Sequence, residues 1–250
     1  MIDNLVSIIM PNHNAEQFIK DSILSILLQT YKNWELIIVD DCSSDSSVEI
    51  IKSYVANDSR IQLIELEENG GPAIARNYAI KQAKGRYIAF LDSDDLWHPD
   101  KLSKQISFMQ EYDIALSHTS YHTIEEESGE IMDRINVPGK VNYSELLKQN
   151  IIGCLTAIYD TRKIGKVYMP DISKRQDFGL WLNILKKVPY AYGLNESLAY
   201  YRVRSASVSS NKILASKYNW KLYREVEKLP LYKAIYYFGW YTYKSILKYK

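Results

Sequence analysis

Tyr87-Ile88-Ala89-Phe90-Leu91-Asp92-Ser93-Asp94-Asp95 is the stretch that decides how this chain is read: a run of apolar residues suited to a strand buried on both faces ends in three carboxylates within four positions. Carboxylates clustered in this way repel one another unless water, a hydrogen-bond donor or a cation offsets the charge. Hard divalent cations such as Mg²⁺ and Mn²⁺ take oxygen ligands, and Mg²⁺ is typically held by one or two carboxylates while substrate phosphates complete its shell. The implied ligand is a metal diphosphate. The plainer reading is a solvated, acidic helix start, with Asp95 capping the helix that begins near Pro99.

Upstream, three more apolar runs precede this one: Leu5 to Met10, Trp34 to Asp40 and Ile61 to Leu66. Between the runs lie segments with helical spacing: Phe18, Ile19, Ile23, Ile26 and Leu27, then Val48, Ile51 and Val55, then Ala73, Ala75, Ala79, Ile80 and Ala83. That alternation predicts an α/β fold with a mainly parallel sheet covered by helices on both sides and ligands at the carboxyl ends of the strands. Each run is followed by polar residues where this rule puts a ligand: Pro11-Asn12-His13-Asn14, Asp40-Asp41-Cys42-Ser43, Glu68-Asn69-Gly70-Gly71-Pro72, and the acidic segment itself. Any one of these is ordinary turn chemistry. Four strand ends rich in donors and carboxylates on one rim are better explained by a site.

Further along, a strand is expected from Tyr112 to Tyr121, a hairpin or mobile loop from Glu125 to Asn136, a short helix from Asn142 to Asn150 and a strand from Leu155 to Tyr159. Phe178, Trp181, Leu182 and Leu185 give helical spacing over Arg175 to Lys187 and place Asp177 in the first turn. With 250 residues the chain can bury one sizeable core. Its 31 basic and 30 acidic residues argue against a nucleic-acid binder. Cys42 and Cys154 make no disulfide framework and have no metal-ligand spacing, and no export segment or bilayer-length apolar run is present, so a cytoplasmic location is expected.

In order and spacing these motifs resemble glycosyltransferase family 2, inverting enzymes with the GT-A fold. The matching pieces are Val6 to Asn14, Ser22 to Thr30, Glu35 to Asp45, Asn69 to Asn77 and Gly85 to Asp95, followed by Arg175-Gln176-Asp177-Phe178 and Tyr201-Arg202-Val203-Arg204. The resemblance implies a Rossmann-like central sheet over 1–210, with a nucleotide-sugar half (1–96) and an acceptor half (97–210). It implies a nucleotide-sugar donor, usually a UDP-sugar, and a Mn²⁺ or Mg²⁺ ion. Pro11 and Asn14 would line the base pocket, Asp41 would accept the uracil imide, and Arg76 would approach the base or diphosphate. Asp94 would be the direct metal ligand, Asp92 would lean toward sugar or ribose as well as metal, and Asp95 is a further candidate ligand. Asp177 matches the base that deprotonates the attacking hydroxyl, and inversion would turn an alpha-linked donor into a beta linkage.

Two departures sharpen this. Gln176 stands where the family often has Glu, which leaves Asp177 as the base. Arg204 replaces a frequent His, and since a guanidinium cannot ligate a metal, Arg204 and Arg202 would face phosphate directly. The ion would then depend more on the bound diphosphate. His13, His98, His118 and His122 are read as loop or partly buried residues, and Trp181 as core.

The last part of the chain, 211–250, reads as a basic aromatic helical extension: Lys212, Lys217, Lys221, Arg224, Lys228, Lys233, Lys244, Lys248 and Lys250 face only Glu225 and Glu227. Interleaved Tyr, Trp and Lys over 218–250 suit a peripheral contact with the inner face of an anionic membrane, against the alternatives of a lid on the core or an oligomer contact. Membrane contact fits a polyprenyl-diphosphate-linked saccharide as acceptor, as in the bacterial O-antigen and capsule enzymes of this family. A polyprenyl-phosphate sugar synthase, a non-catalytic nucleotide-sugar-binding module and, less well, a nucleotidyltransferase are the competing readings.

Overall fold

The computed structural model describes residues 1–203 and 212–247. Its first half alternates strand and helix: β1 (Ile2–Asn12), α1 (Ile19–Leu27), β2 (Trp34–Asp40), α2 (Ser47–Val55), β3 (Ile61–Glu65), α3 (Pro72–Gln82) and β4 (Gly85–Phe90). A short β5 (Leu96–Trp97), α4 (Lys101–Glu111), and a hairpin of β6 (Leu116–Glu125) and β7 (Ile131–Ile135) follow. Next come β8 (Lys140–Val141), α5 (Tyr143–Lys148), a 3-10 turn at Cys154–Thr156, β9 (Ile158–Asp160), α6 (Thr161–Ile164), α7 (Gln176–Leu185) and β10 (Ala191–Val203). The tail forms α8 (Lys212–Lys221), a π-helical turn at Leu222–Val226 and α9 (Leu231–Leu247).

Among the described residues the strands join one sheet in the order β3-β2-β1-β4-β9-β6-β10-β5, with β7 beside β6 and β8 beside β10. The chain builds outward from β1 to β2 and β3, then returns to place β4 on the other side of β1, all parallel. That reversal opens a crevice between the carboxyl ends of β1 and β4, where ligands bind in sheets of this kind. The remainder of the sheet is mixed: β9 runs antiparallel between β4 and β6, whereas β10 is parallel to β6. The expectation of a mainly parallel sheet therefore describes the first four strands and not the added half.

Both faces of the parallel strands are covered, which is why their sequences are continuously apolar rather than alternating. Ile9, Ile37, Val39, Ile88 and Phe90 meet α3 and α7 on one side. Ile8, Met10, Leu36, Ile38, Tyr87 and Ala89 meet α1, α2 and α4 on the other. Trp181 is buried and set edge-on to Phe90 with ring centroids 5.6 Å apart, as a core residue.

Two strand expectations are corrected. The stretch Leu155 to Tyr159 splits into the 3-10 turn and β9, and the strand expected from Tyr112 starts at Leu116 and reaches Glu125. The long β10 has no counterpart in the apolar pattern, because two register shifts along its pairing with β6 break the alternation. Part of the tail packs on the core, as one of the stated alternatives had it: Leu222, Tyr223, Leu229 and Ala234 are buried in the same core as α3 and α7.

Helix α7 is seated by Gly179, where an added Cβ would come within 2.4 Å of Pro170 Cγ. Gly179→Ala is expected to destabilise the protein by about 1–3 kcal/mol through overpacking. A urea midpoint unchanged from the parent would show instead that α7 can shift away from Pro170 freely.

Candidate active site

Three strand ends are tied into one cradle by side chains that the loops exchange. Asp40, at the end of β2, accepts from Asn12 Nδ2 (2.7 Å), Ser43 N (2.9 Å) and Ser43 Oγ (2.6 Å). Asp41 reaches across to the turn before α3, its carboxylate accepting Gly70 N–H at 2.7 Å and Gly71 N–H at 2.8 Å. Gly71 has φ +82, a conformation that a side chain would strain, and Pro72 follows at the first turn of α3. Asn14 binds the loop after β1 to the loop after β2, its Oδ1 accepting Ser44 N–H at 2.8 Å. Pro11 is buried in β1 opposite Val39. Pro11, Asn14 and Asp41 thus share one wall, with Asn14 and Asp41 also holding its shape.

At the end of β4 the three carboxylates diverge to separate partners. Asp92 pairs with Arg76 of α3 at 2.5 Å. Burial works against the Arg76 charge, but Asp92, with further help from Asp177, holds the guanidinium protonated. Arg76 Nε is buried without an acceptor among the described residues, a donor that an anionic ligand would satisfy. Asp95 is buried and accepts Arg202 N–H at 2.9 Å. Burial pushes its carboxyl well above the usual range, and the charges of Asp94 and Asp92 add to the shift.

Arg202 is buried beneath this loop rather than extended into the crevice. Its Nε donates to the Asp94 carbonyl at 2.9 Å, its Nη1 donates to the Glu126 carbonyl at 3.0 Å, and the guanidinium sits 4.8 Å from the Phe18 ring centre. Two of the donors expected to reach phosphate are committed to backbone. Arg204 lies outside the described residues.

Asp177 occupies the first turn of α7, after Arg175 in a left-handed conformation (φ +67). Asn150 Nδ2 donates to Asp177 Oδ2 at 3.3 Å. Burial raises the Asp177 carboxyl above its ordinary value, against the lowering pull of the Phe178 backbone N–H, Arg175 and Arg76, while Asp92 repels it. Asp177 and the Arg76–Asp92 pair therefore sense one another electrostatically. Cys154 shares these neighbours, and burial keeps its thiol neutral. Neither Asn150 nor Cys154 was legible in the sequence, because each reaches the site from a loop with no motif of its own.

The chemistry of the acidic loop fits a divalent ion only in part. Among the described residues no three His, Cys, Asp or Glu side chains converge tightly enough to form a ligand cluster. Asp95, a candidate ligand from sequence, is taken up by Arg202 N–H, which leaves Asp94 and Asp92. One or two carboxylates completed by phosphate oxygens is how Mg²⁺ is ordinarily held beside a nucleotide.

The model of the family described as Glycosyl transferase family 2 matches residues 7–165. The chain belongs to glycosyltransferase family 2. Among family members, it is 46% identical over 244 residues to TuaG of Bacillus subtilis, whose provisional name is teichuronic acid biosynthesis glycosyltransferase, covering 98% of this chain and 97% of the relative. It is 42% identical over 237 residues to WfgD of Escherichia coli, named a UDP-Glc:alpha-D-GlcNAc-diphosphoundecaprenol beta-1,3-glucosyltransferase, covering 94% and 92% of the two chains. The crystal structure of S. aureus TarS with UDP-GlcNAc superposes with a TM-score of 0.76 at 20% identity, over 95% of this chain and 71% of that one. The mannosyltransferase PcManGT of Pyrobaculum calidifontis, with GDP-Man and Mn²⁺, gives 0.69 at 16% identity over 90% and 64%. The fold is thus the GT-A fold expected from the motifs, and the protein is a glycosyltransferase.

In this family 2 enzyme the raised Asp95 carboxyl has a consequence for stability. The folded chain holds that proton more tightly than the unfolded chain, so ionisation penalises the fold once pH rises above the unfolded value of about 3.9. Asp95→Asn keeps an oxygen for Arg202 N–H and is expected to raise stability at neutral pH. The gain should vanish at acid pH in denaturation curves, whereas an equal gain across pH would assign the effect to packing.

Proposed function

We propose that this protein transfers a sugar from a UDP-sugar to a hydroxyl of a lipid-diphosphate-linked saccharide, inverting the anomeric centre. The observation that carries the reading is Asp177, a part-buried carboxylate of raised proton affinity that is oriented by Asn150 and lies in electrostatic range of the Arg76–Asp92 pair. The printed name of WfgD, a relative of nearly the same length, supports the donor and acceptor classes.

The donor base would lie against the wall of Pro11, Asn14 and Asp41, with lone pairs of Asp41 left over from the glycine N–H bonds to accept the imide. The diphosphate would extend toward Arg76, whose orphaned Nε–H and cationic charge suit a phosphate oxygen. A divalent ion held by Asp94, Asp92 and the diphosphate would supply further neutralisation of the leaving group's charge. Asp177 takes the proton of the acceptor hydroxyl as that oxygen attacks the anomeric carbon. The bond from this carbon to the diphosphate breaks on the opposite face, and Arg76 stabilises the charge that develops on the departing nucleotide. A pKa raised by burial brings a carboxylate closer to neutral working pH, where it is a better base. The work would take place beside the cytoplasmic face of the membrane that carries the acceptor. Among the described residues no helix is long and apolar enough to cross that membrane.

Asp177→Asn preserves shape and removes the base. Turnover of UDP-sugar with a lipid-linked acceptor is expected to fall by about a hundredfold to ten-thousandfold, while thermal stabilisation by UDP-sugar with Mn²⁺ is retained. Near-normal turnover would remove Asp177 from the role. Asn150→Ala withdraws a donor that favours the ionised carboxylate, so the acidic limb of the pH–rate profile should move to higher pH. An unmoved limb with a lower plateau would mean that Asn150 acts on acceptor placement only.

A further inference from the structure

The largest surface feature left without a role is the outward face of α9. Leu231, Tyr232, Ile235, Tyr236, Trp240 and Tyr243 are all exposed on it, Tyr232 at 69% and Ile235 at 56%. They recur at intervals of three and four, which places them on one stripe of the helix. The opposite side is anchored, because Ala234 is buried and Tyr237 and Phe238 pack on the core. Around Gly239, where nothing lies within 4 Å of an added Cβ, Ile235, Tyr236, Trp240 and Tyr243 leave a shallow hollow of about 430 Å³.

We propose that this stripe docks on an anionic lipid bilayer and sets the membrane surface beside the acceptor side of the site. Its purpose rests on the lipid-linked acceptor proposed above, but its geometry does not. Charge selects the occupant: no acidic residue occurs in Leu231–Leu247, Lys233 is exposed on the helix, and Lys148 Nζ sits 5.2 Å from the Trp240 ring centre. Tyrosine and tryptophan rings with polar tips, bordered by lysines, match the headgroup boundary of an anionic leaflet. The hollow at Gly239 gives room for acyl chain between the rings.

Two contacts join α9 to the segments on either side of Asp177. Arg175, which precedes α7, donates from Nη2 to Tyr241 Oη at 3.3 Å. α9 also lies against α5, and the loop after α5 carries Asn150, the donor to Asp177. A bilayer resting on the stripe would therefore lie close to where an acceptor must present its hydroxyl.

Co-sedimentation of the full-length protein with vesicles tests the proposal. Binding is expected to vesicles containing about one-third phosphatidylglycerol, weakly or not at all to phosphatidylcholine alone, and to weaken as salt is raised. Trp240→Glu and Ile235→Glu alter exposed side chains and should lower the bound fraction by tenfold or more, on the order of one buried apolar anchor exchanged for a charge. Should either fail to fold, judged by its thermal midpoint, Lys233→Glu serves in its place and should also weaken binding. Parental binding in all these variants, or no binding by the parent, overturns the proposal. So does a dimer in light scattering that Trp240→Glu dissociates without any vesicle binding. Sugar transfer to a short-chain, water-soluble acceptor is scored in parallel. Transfer without vesicle binding defeats the docking face alone, and vesicle binding without transfer under any donor defeats the functional reading alone.

Discussion

Three carboxylates at the end of β4 cannot share a small volume without compensation, and the compensation is drawn from distant parts of the chain. Arg76 of α3 neutralises Asp92, while the backbone N–H of Arg202 in β10 reaches the buried Asp95. Ser22 Oγ of α1 lies 2.9 Å from the Ser93 carbonyl and 2.8 Å from that of Asp95, and Arg202 Nε holds the Asp94 carbonyl. A loop that would repel itself in isolation becomes the point where the parallel half and the mixed half of the sheet are joined. The sheet places it at the reversal of strand order, where ligands bind in sheets of this kind.

Environment separates residues that are chemically alike. Asp92 is ion-paired, Asp95 is buried with its carboxyl pushed toward the neutral form, and Asp177 is part-buried, accepts from the Asn150 side chain and is raised by desolvation. Different surroundings give carboxylates different functions within one site. The same logic applies to the arginines. Of these two, Arg76 keeps an unsatisfied donor, whereas Arg202 spends donors on carbonyls and stacks on Phe18.

The C-terminal region has two faces with different physics. Leu222, Tyr223, Leu229 and Ala234 complete a core that already holds α7, which makes the tail part of what positions Asp177. Leu231, Tyr232, Ile235, Tyr236, Trp240 and Tyr243 of α9 are instead exposed among the described residues. An amphipathic helix with both faces apolar along much of its length is explained only when the second face also has a neighbour.

Periodicity and strand-end chemistry in the sequence determined the alternating half of the fold, from the runs Trp34 to Asp40 and Tyr87 to Leu91 through to the helix bearing Asp177, because burial on both faces leaves a local apolar signature. Strand-end chemistry also marked Asp41, Asp92 and Asp94 as candidates, while the resemblance to the family marked Arg76, within α3, and Asp177. Only tertiary structure decided which carboxylate is ion-paired and which is buried. It also decided that Asn150 and Cys154 join the site, that β10 threads the sheet despite its interrupted pattern, and that the tail belongs to the core. Those outcomes depend on contacts between residues tens of positions apart, and desolvation and pairing are properties of the neighbours that the fold brings together, with no local trace in the chain.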